Sequence, residues 1–236
     1  MEGINLLNIT NLHTYYGEGH ILKGIDLQVN EGELVTLLGR NGAGKTTTIK
    51  SLMGLILPRE GTILFDGKNI IGLKPHDIAR LGIGFVPEDR RIFPSLTVLE
   101  NLNLPVIKKK GEGWDLKKVY EYFPGLKDRE AHKGSELSGG EQQMLAIARI
   151  LRTKASLILL DEPTEGLAPM LVQSIETILR GIKNEGITLL LVEQNTRFAQ
   201  AVGERHYVIS NGEIVYVGSR QEFILNDEVK KRYLGI

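Results

Sequence analysis

Cysteine is absent from the 236 residues, which excludes disulfides, thiolate metal sites and a cysteine nucleophile. A charge excess of either sign is also lacking. Twenty-nine Lys and Arg balance 29 Asp and Glu, so no global basic field favours nucleic acid or an anionic bilayer. No apolar run approaches the ~20 residues that span a bilayer. Met1-Glu2-Gly3-Ile4-Asn5 lacks the charged start and continuous apolar stretch of a secretory signal. A cytosolic chain is therefore expected, with any membrane reached through a partner. The histidines His13, His20, His76, His132 and His206 are scattered without metal-ligand spacing and receive no metal role.

What is present describes an ordinary water-soluble fold. Hydrophobic residues at 42% and charged residues at 25% exclude wholesale disorder and a fibrous chain. Leu6–Tyr16 and Gly24–Val29 alternate apolar and polar side chains, and Glu31-Gly32 separates them from the run Leu34–Leu38. These predict strands joined by tight turns. A glycine-rich segment follows, then Lys45–Met53, a predicted helix ended by Gly54. Asp66-Gly67 predicts a hairpin between Thr62–Phe65 and Lys68–Ile71, and Ile83–Val86 a strand stopped by Pro87. The first third is expected to be mainly strands.

Residues 88–154 change character and predict a helical insertion. Thr97-x-x-Glu100 and Ser138-x-x-Glu141 are capping boxes, and Trp114–Phe123 is a helical stretch between them. Lys108-Lys109-Lys110 reads as a solvated loop. Beyond the insertion, Leu157–Leu160 and Ile187–Val192 are continuous apolar runs, as expected of strands buried on both faces of a parallel sheet. Between them a helix opens at Pro169 and carries Leu171, Val172, Ile175, Ile178, Leu179 and Ile182 on one stripe. Asn211-Gly212 predicts a type I′ hairpin between Tyr207–Ser210 and Glu213–Val217, with a short helical tail from Gln221.

Three motifs carry chemistry. Gly39-Arg40-Asn41-Gly42-Ala43-Gly44-Lys45-Thr46 is a complete G-x-x-x-x-G-K-[ST] phosphate loop between a strand and a helix. Its glycines let backbone amides converge on phosphate oxygens, Lys45 reaches the β- and γ-phosphates, and the Thr46 hydroxyl suits Mg²⁺, a hard cation that prefers oxygen. Leu157–Leu160 then delivers Asp161 and Glu162 to a strand end, where open parallel sheets place ligands. Asp161 fits the carboxylate that holds the magnesium, and Glu162 a group that polarises the attacking water. In Leu137-Ser138-Gly139-Gly140-Glu141-Gln142-Gln143 the serine caps a helix whose two leading glycines leave backbone amides open to an anion, a second phosphate-type helix end. Two such ends far apart in sequence suggest that each faces a different copy.

With these motifs in this order, the chain resembles the nucleotide-binding subunit of an ATP-binding cassette (ABC) transporter over essentially its whole length. The resemblance implies an α/β fold: a P-loop NTPase (RecA-like) core with an antiparallel β subdomain, formed by 1–87 and 155–236, and an inserted helical subdomain at 88–154 that carries the signature. It implies ATP and Mg²⁺ as ligands, with Gly39 through Thr46 and the adjoining Thr47 around the phosphates. Tyr16 sits where an aromatic side chain stacks on adenine; a half-buried strand tyrosine is the alternative. Ser138, Gly139 and Gly140 correspond to residues that contact the γ-phosphate held by an opposing ATPase subunit, identical or related, so that two subunits sandwich two ATP molecules head to tail.

Three positions depart from the family's commonest pattern. Glu88 stands for a glutamine, Gln194 for a histidine and Ala168 for an aspartate. Glu88 can still reach Mg²⁺ or the lytic water, and Gln194 can still donate a hydrogen bond to the γ-phosphate during catalysis. The segments around them, Pro87 to Val98, Glu165-Gly166-Leu167-Ala168-Pro169 and Val192-Glu193-Gln194-Asn195, resemble the branched-chain amino acid uptake subfamily. That subfamily implies permease partners, a substrate-binding protein outside the membrane, and a place on the inner face of the cell membrane. Ile92, Phe93 and Leu96 are candidates for the permease contact or for the helical core. Other ATPases of the class, serving amide uptake or lipid export, and a catalytically weak ATP-dependent regulator are the alternatives.

Overall fold

The computed structural model describes residues 4–104 and 113–235. Lys108-Lys109-Lys110 lies outside them.

Two sheets share one core. The first contains β1 (Asn5–Tyr16), β2 (Gly19–Asn30), β4 (Glu60–Phe65) and β5 (Lys68–Asn69), all antiparallel, in the order β2-β1-β4-β5. In β2 the alternation is carried by buried Ile25, Leu27 and Val29 against exposed Asp26 and Gln28. The spacing from Leu22 to Ile25 breaks that period. A register shift between the pairs Leu12–Ile25 and His13–Lys23 leaves Gly24, with φ of 82°, to absorb the extra residue as a bulge. The strand therefore begins at Gly19, earlier than alternation alone predicts. Asp66 and Gly67 have φ of 48° and 70°, as a type I′ turn requires, but β5 stops at Asn69, short of the expected Ile71.

The second sheet has the order β10-β9-β3-β8-β7-β6, with β3 (Leu34–Leu38), β6 (Ile83–Val86), β7 (Leu157–Asp161), β8 (Thr188–Glu193) and β9 (Arg205–Ser210) parallel. Strand β10 (Glu213–Ser219) closes the edge antiparallel to β9 across Asn211-Gly212. The continuous apolar runs have a direct physical cause. Leu157, Leu159, Leu190 and Val192 face a core shared with the antiparallel sheet and α1 (Lys45–Leu52), while Ile158, Leu160, Leu189 and Leu191 face a second core on the other side. Both faces of each strand are dry, so the polar residues of β7 and β8, Asp161, Thr188 and Glu193, stand only at the strand ends.

That second core is built by α7 (Pro169–Asn184), α8 (Thr196–Val202) and the helices that fall between β6 and β7. These are α3 (Val98–Asn103), α4 (Leu116–Tyr122), α5 (Pro124–Asp128) and α6 (Gly139–Leu151). Val98, Leu102, Val119, Phe123, Leu145 and Leu151 pack into it together with Ile175 and Leu179 of α7. The helices of 88–154 thus lean on the sheet and share its core.

Several local expectations need correction. The first third is mainly strands, but it holds one helix the sequence does not predict: α2 (Pro75–Leu81) opens with Pro75 in its first turn and stops at Gly82, whose φ is 113°. Helix α8, capped by the Asn195 side chain on the Phe198 amide, is likewise absent from the sequence expectation. Helix α4 starts at Leu116 because Asp115 caps it through the Lys118 amide. The tail begins as α9 (Arg220–Leu225), opened by a Ser219–Glu222 capping box, and continues through α10 (Asp227–Val229).

Gly39, just past β3, marks where the sheet meets the phosphate loop. A Cβ there would lie 2.6 Å from the Ile209 carbonyl oxygen and 2.9 Å from its Cγ2, on the neighbouring strand β9. Backbone cannot yield as a side-chain tip can. Gly39→Ala is therefore expected to destabilise the chain by about 1–3 kcal/mol, read as a lower urea midpoint with unchanged slope.

Candidate functional site

The site grows out of the C-terminal ends of β3 and β7. After β3 the chain turns through Gly42 and Gly44, with φ of 79° and 116°, into α1. Gly44 is the N-cap and no side chain accepts from the first turn, which leaves the positive end of the helix to an anion. A cleft of about 440 Å³ opens in front of it, lined by Tyr16, Ile21, Asn41, Gly42, Gly44, Lys45, Thr46, Thr47, Glu88, Glu162 and Glu165. Tyr16 is 49% exposed at the end of β1, so it belongs to the cleft wall and not to the sheet interior. Gly39, Arg40 and Ala43 do not line the cleft; they shape the loop. The carbonyls of Gly39 and Arg40 accept from Lys45 Nζ at 2.8 and 3.2 Å, and the Ala43 carbonyl accepts from the Gly212 amide at 2.9 Å.

Lys45 also forms an ion pair with Glu162, Nζ to Oε1, at 3.1 Å. Glu162 has φ of 46°, in the left-handed region that a residue with a β-carbon adopts at a cost of order 1–3 kcal/mol. Its amide donates to the Val192 carbonyl at 2.9 Å, which helps to hold the turn.

Asp161 closes β7 and is buried, and its Oδ1 has no hydrogen-bond partner. Burial pushes its carboxyl up to about 6, with the Glu162 and Glu88 charges adding to the shift and Lys45 opposing it. A desolvated, unpaired carboxylate oxygen at the C-terminal end of β7 fits a hard divalent cation. Among the described residues no group of three or more His, Cys, Asp or Glu is arranged to hold a metal alone. A magnesium site completed by phosphate oxygens and water needs no such cage.

Two acids at this end of the sheet escaped the sequence reading. Glu165 lines the cleft, and its carboxyl is raised first by a hydrogen bond with Glu162, then by burial and by the Glu162, Glu88 and Glu193 charges. Glu193, the last residue of β8, is buried and raised by that burial, while hydrogen bonds from Thr164 and the Asn195 amide pull the other way. Spacing could have flagged Glu165, three residues past Glu162. Nothing local flags Glu193, because its Thr164 partner is 29 residues away.

Gln194 follows β8 and is exposed outside the cleft. Ser138, Gly139 and Gly140 also lie outside it, at the start of α6. Ser138 Oγ accepts from the Glu141 amide at 3.4 Å, and Glu141 Oε2 accepts from the Ser138 amide at 2.8 Å, completing the capping box. Within this chain the two glycines have different neighbours. A Cβ on Gly140 would fall 2.3 Å from Leu171 Cδ1, so its missing side chain serves the packing of α6 on α7. Only Gly139 lies toward a charged group, with the Arg90 guanidinium 3.2–3.5 Å from where its Cβ would be. Phe93 is exposed, whereas Ile92 packs against the second core.

A phosphate loop and paired acids meeting at the mouth of a parallel sheet define a P-loop nucleoside triphosphatase. Residues 22–165 match the ABC transporter family model. The chain is 41% identical over 232 residues to the high-affinity branched-chain amino acid transport ATP-binding protein BraG of Pseudomonas aeruginosa, covering 98% of this chain and 100% of BraG. It is 36% identical to the lipopolysaccharide export system ATP-binding protein LptB of Haemophilus influenzae, over 98% of each. A dimeric structure of an ATP-binding cassette in a post-hydrolysis state, bound to ADP and Pi, superposes with a TM-score of 0.78 at 29% identity, covering 91% of this chain and 98% of that one. The chain belongs to the ABC transporter family and is an ATP-hydrolysing transporter subunit.

Proposed function

We propose that this ATPase drives an importer of branched-chain amino acids from the inner face of the cell membrane, beneath permease subunits supplied by an extracytoplasmic binding protein. The observation that carries the proposal is the full-length similarity to BraG. Among the described residues no helix is long and apolar enough to cross a membrane, and the proposal assigns the membrane path to the permease subunits. Nucleic acid has no part in this reading.

In the proposed site Lys45 exchanges its carbonyl and Glu162 contacts for the β- and γ-phosphates. Glu162 is thereby released to accept a proton from the attacking water, and Gln194 holds a γ-phosphate oxygen. Asp161, Thr46 and Glu88 hold Mg²⁺, which neutralises phosphate charge when bound. Tyr16 stacks on the base, and Arg40, Asn41 and Ala43 keep the loop in shape. Ser138, Gly139 and Gly140 reach the nucleotide of a second ATPase subunit. Their position away from the chain's own cleft supports that reading. Because each nucleotide then touches both subunits, it favours the closed dimer, and hydrolysis favours reopening.

Deleting the gene is expected to abolish high-affinity uptake of labelled leucine, isoleucine and valine, with recovery from the parent gene and none from Glu162→Gln. Similarity to LptB supports lipid export as the second reading. Unchanged uptake with an envelope defect would replace import by export.

A further inference from the structure

Glu193 is 2% exposed, and its two carboxylate oxygens are divided between two loops. Oε1 accepts from the Thr164 hydroxyl at 2.6 Å and the Thr164 amide at 3.3 Å. Oε2 accepts from the amides of Gln194 at 3.1 Å and Asn195 at 3.0 Å. Thr164 lies in the turn between Glu162 and Glu165, and the Glu162 amide ties that same turn to Val192 of β8. The carboxylate thus braces the loops that follow two neighbouring parallel strands.

Stability alone does not call for a carboxylate at this place. A buried charge is costly to desolvate, and an uncharged side chain of similar volume is often as stable. What an amide cannot do is accept on both terminal atoms at once. A glutamine would turn an N–H against either Thr164 or the Gln194 and Asn195 amides. The arrangement serves geometry.

We infer that Glu193 is a positioning residue for ATP hydrolysis, fixing the backbone of Gln194 and the Glu162–Glu165 turn in one relative placement. The inference rests on the role proposed above for Gln194. It adds that the group assigned to the γ-phosphate and the group assigned to the water are aligned by one buried side chain that touches neither ligand. Misplacement of such groups by about 1 Å costs on the order of a hundredfold in rate.

The test is steady-state ATP hydrolysis by the full chain and its Glu193→Gln, Gln194→Ala and doubly substituted variants, with ATP affinity and thermal midpoints alongside. Glu193→Gln is expected to lower kcat by about tenfold to a hundredfold, with ATP affinity unchanged. In the Gln194→Ala background the same change should cost several-fold less than in the parent, because the part of the loss that runs through Gln194 is already gone while the part that runs through the Glu162 turn remains. A purely structural role would instead lower the midpoint and leave kcat alone. Parental kcat in Glu193→Gln, or a full multiplicative loss in the Gln194→Ala background, overturns the inference while leaving the role of Gln194 intact. Parental kcat in Gln194→Ala overturns that role and the inference with it. Should Glu193→Gln not fold, Thr164→Val removes only the hydroxyl bond, and about a threefold lower kcat decides the matter in the same way.

Discussion

Glu162→Gln is expected to lower kcat by about a thousandfold while ATP still binds. Loss of a general base removes on the order of 10²–10⁴ in rate. A thousandfold corresponds to about 4 kcal/mol in the barrier. The amide keeps the size and an acceptor atom of the glutamate, and Lys45 keeps its bonds to the Gly39 and Arg40 carbonyls, so the loop should retain its shape. What disappears is the ability to take a proton. With hydrolysis blocked, ATP–Mg²⁺ should hold the variant as a dimer on size exclusion, whereas the parent returns to its resting state as nucleotide is consumed. Retention of more than about a tenth of the parental rate, well outside the range for a general base, would move the proton acceptor to another group, with Glu165 the first candidate.

Asp161→Asn should make the nucleotide-free chain more stable at neutral pH and abolish its stabilisation by ATP–Mg²⁺. The folded-state value near 6 lies above the ordinary 3.8, so the folded chain prefers the neutral acid. Its contribution is full below about pH 4 and is lost as the pH rises through about 6. Across that window the parent should lose about 3 kcal/mol relative to the variant. His206 works in the opposite sense: burial lowers its imidazole to about 4, so its contribution is lost as the pH falls from 6.5 toward that value. Because both chains carry His206, urea unfolding of the pair from pH 4 to 8 isolates Asp161. Added nucleotide at a hundred times its dissociation constant should then raise the parent by about 2.7 kcal/mol and the variant by little. Equal gains in both would remove Asp161 from the metal site.

The main sheet is legible in the sequence because burial on both faces writes an unbroken apolar run, as in Leu157–Leu160. Capping boxes make the starts of α3 and α6 legible for a similar reason, since donor and acceptor sit three residues apart. Helices α2 and α8 are not legible. At seven residues each they present less than two full periods of an apolar stripe. In the site, Lys45, Asp161 and Glu162 stand on contiguous motifs whose backbone shape is local. The packing duty of Gly140 is invisible because Leu171 comes from another helix, and Glu193 reads as an ordinary strand end because both of its loops must fold first.

Strand β7 carries Asp161 and Glu162 at its tip while alternate side chains along it are gripped by opposite cores. Well-packed interiors resist compression and pass displacement onward. The strand therefore works as a push-rod in a two-sided bearing. One bearing surface includes the phosphate-loop helix α1, and the other includes helices next to the segment around Phe93. The two acids therefore stand at the end of an element held on both sides by the packing of the helices around it.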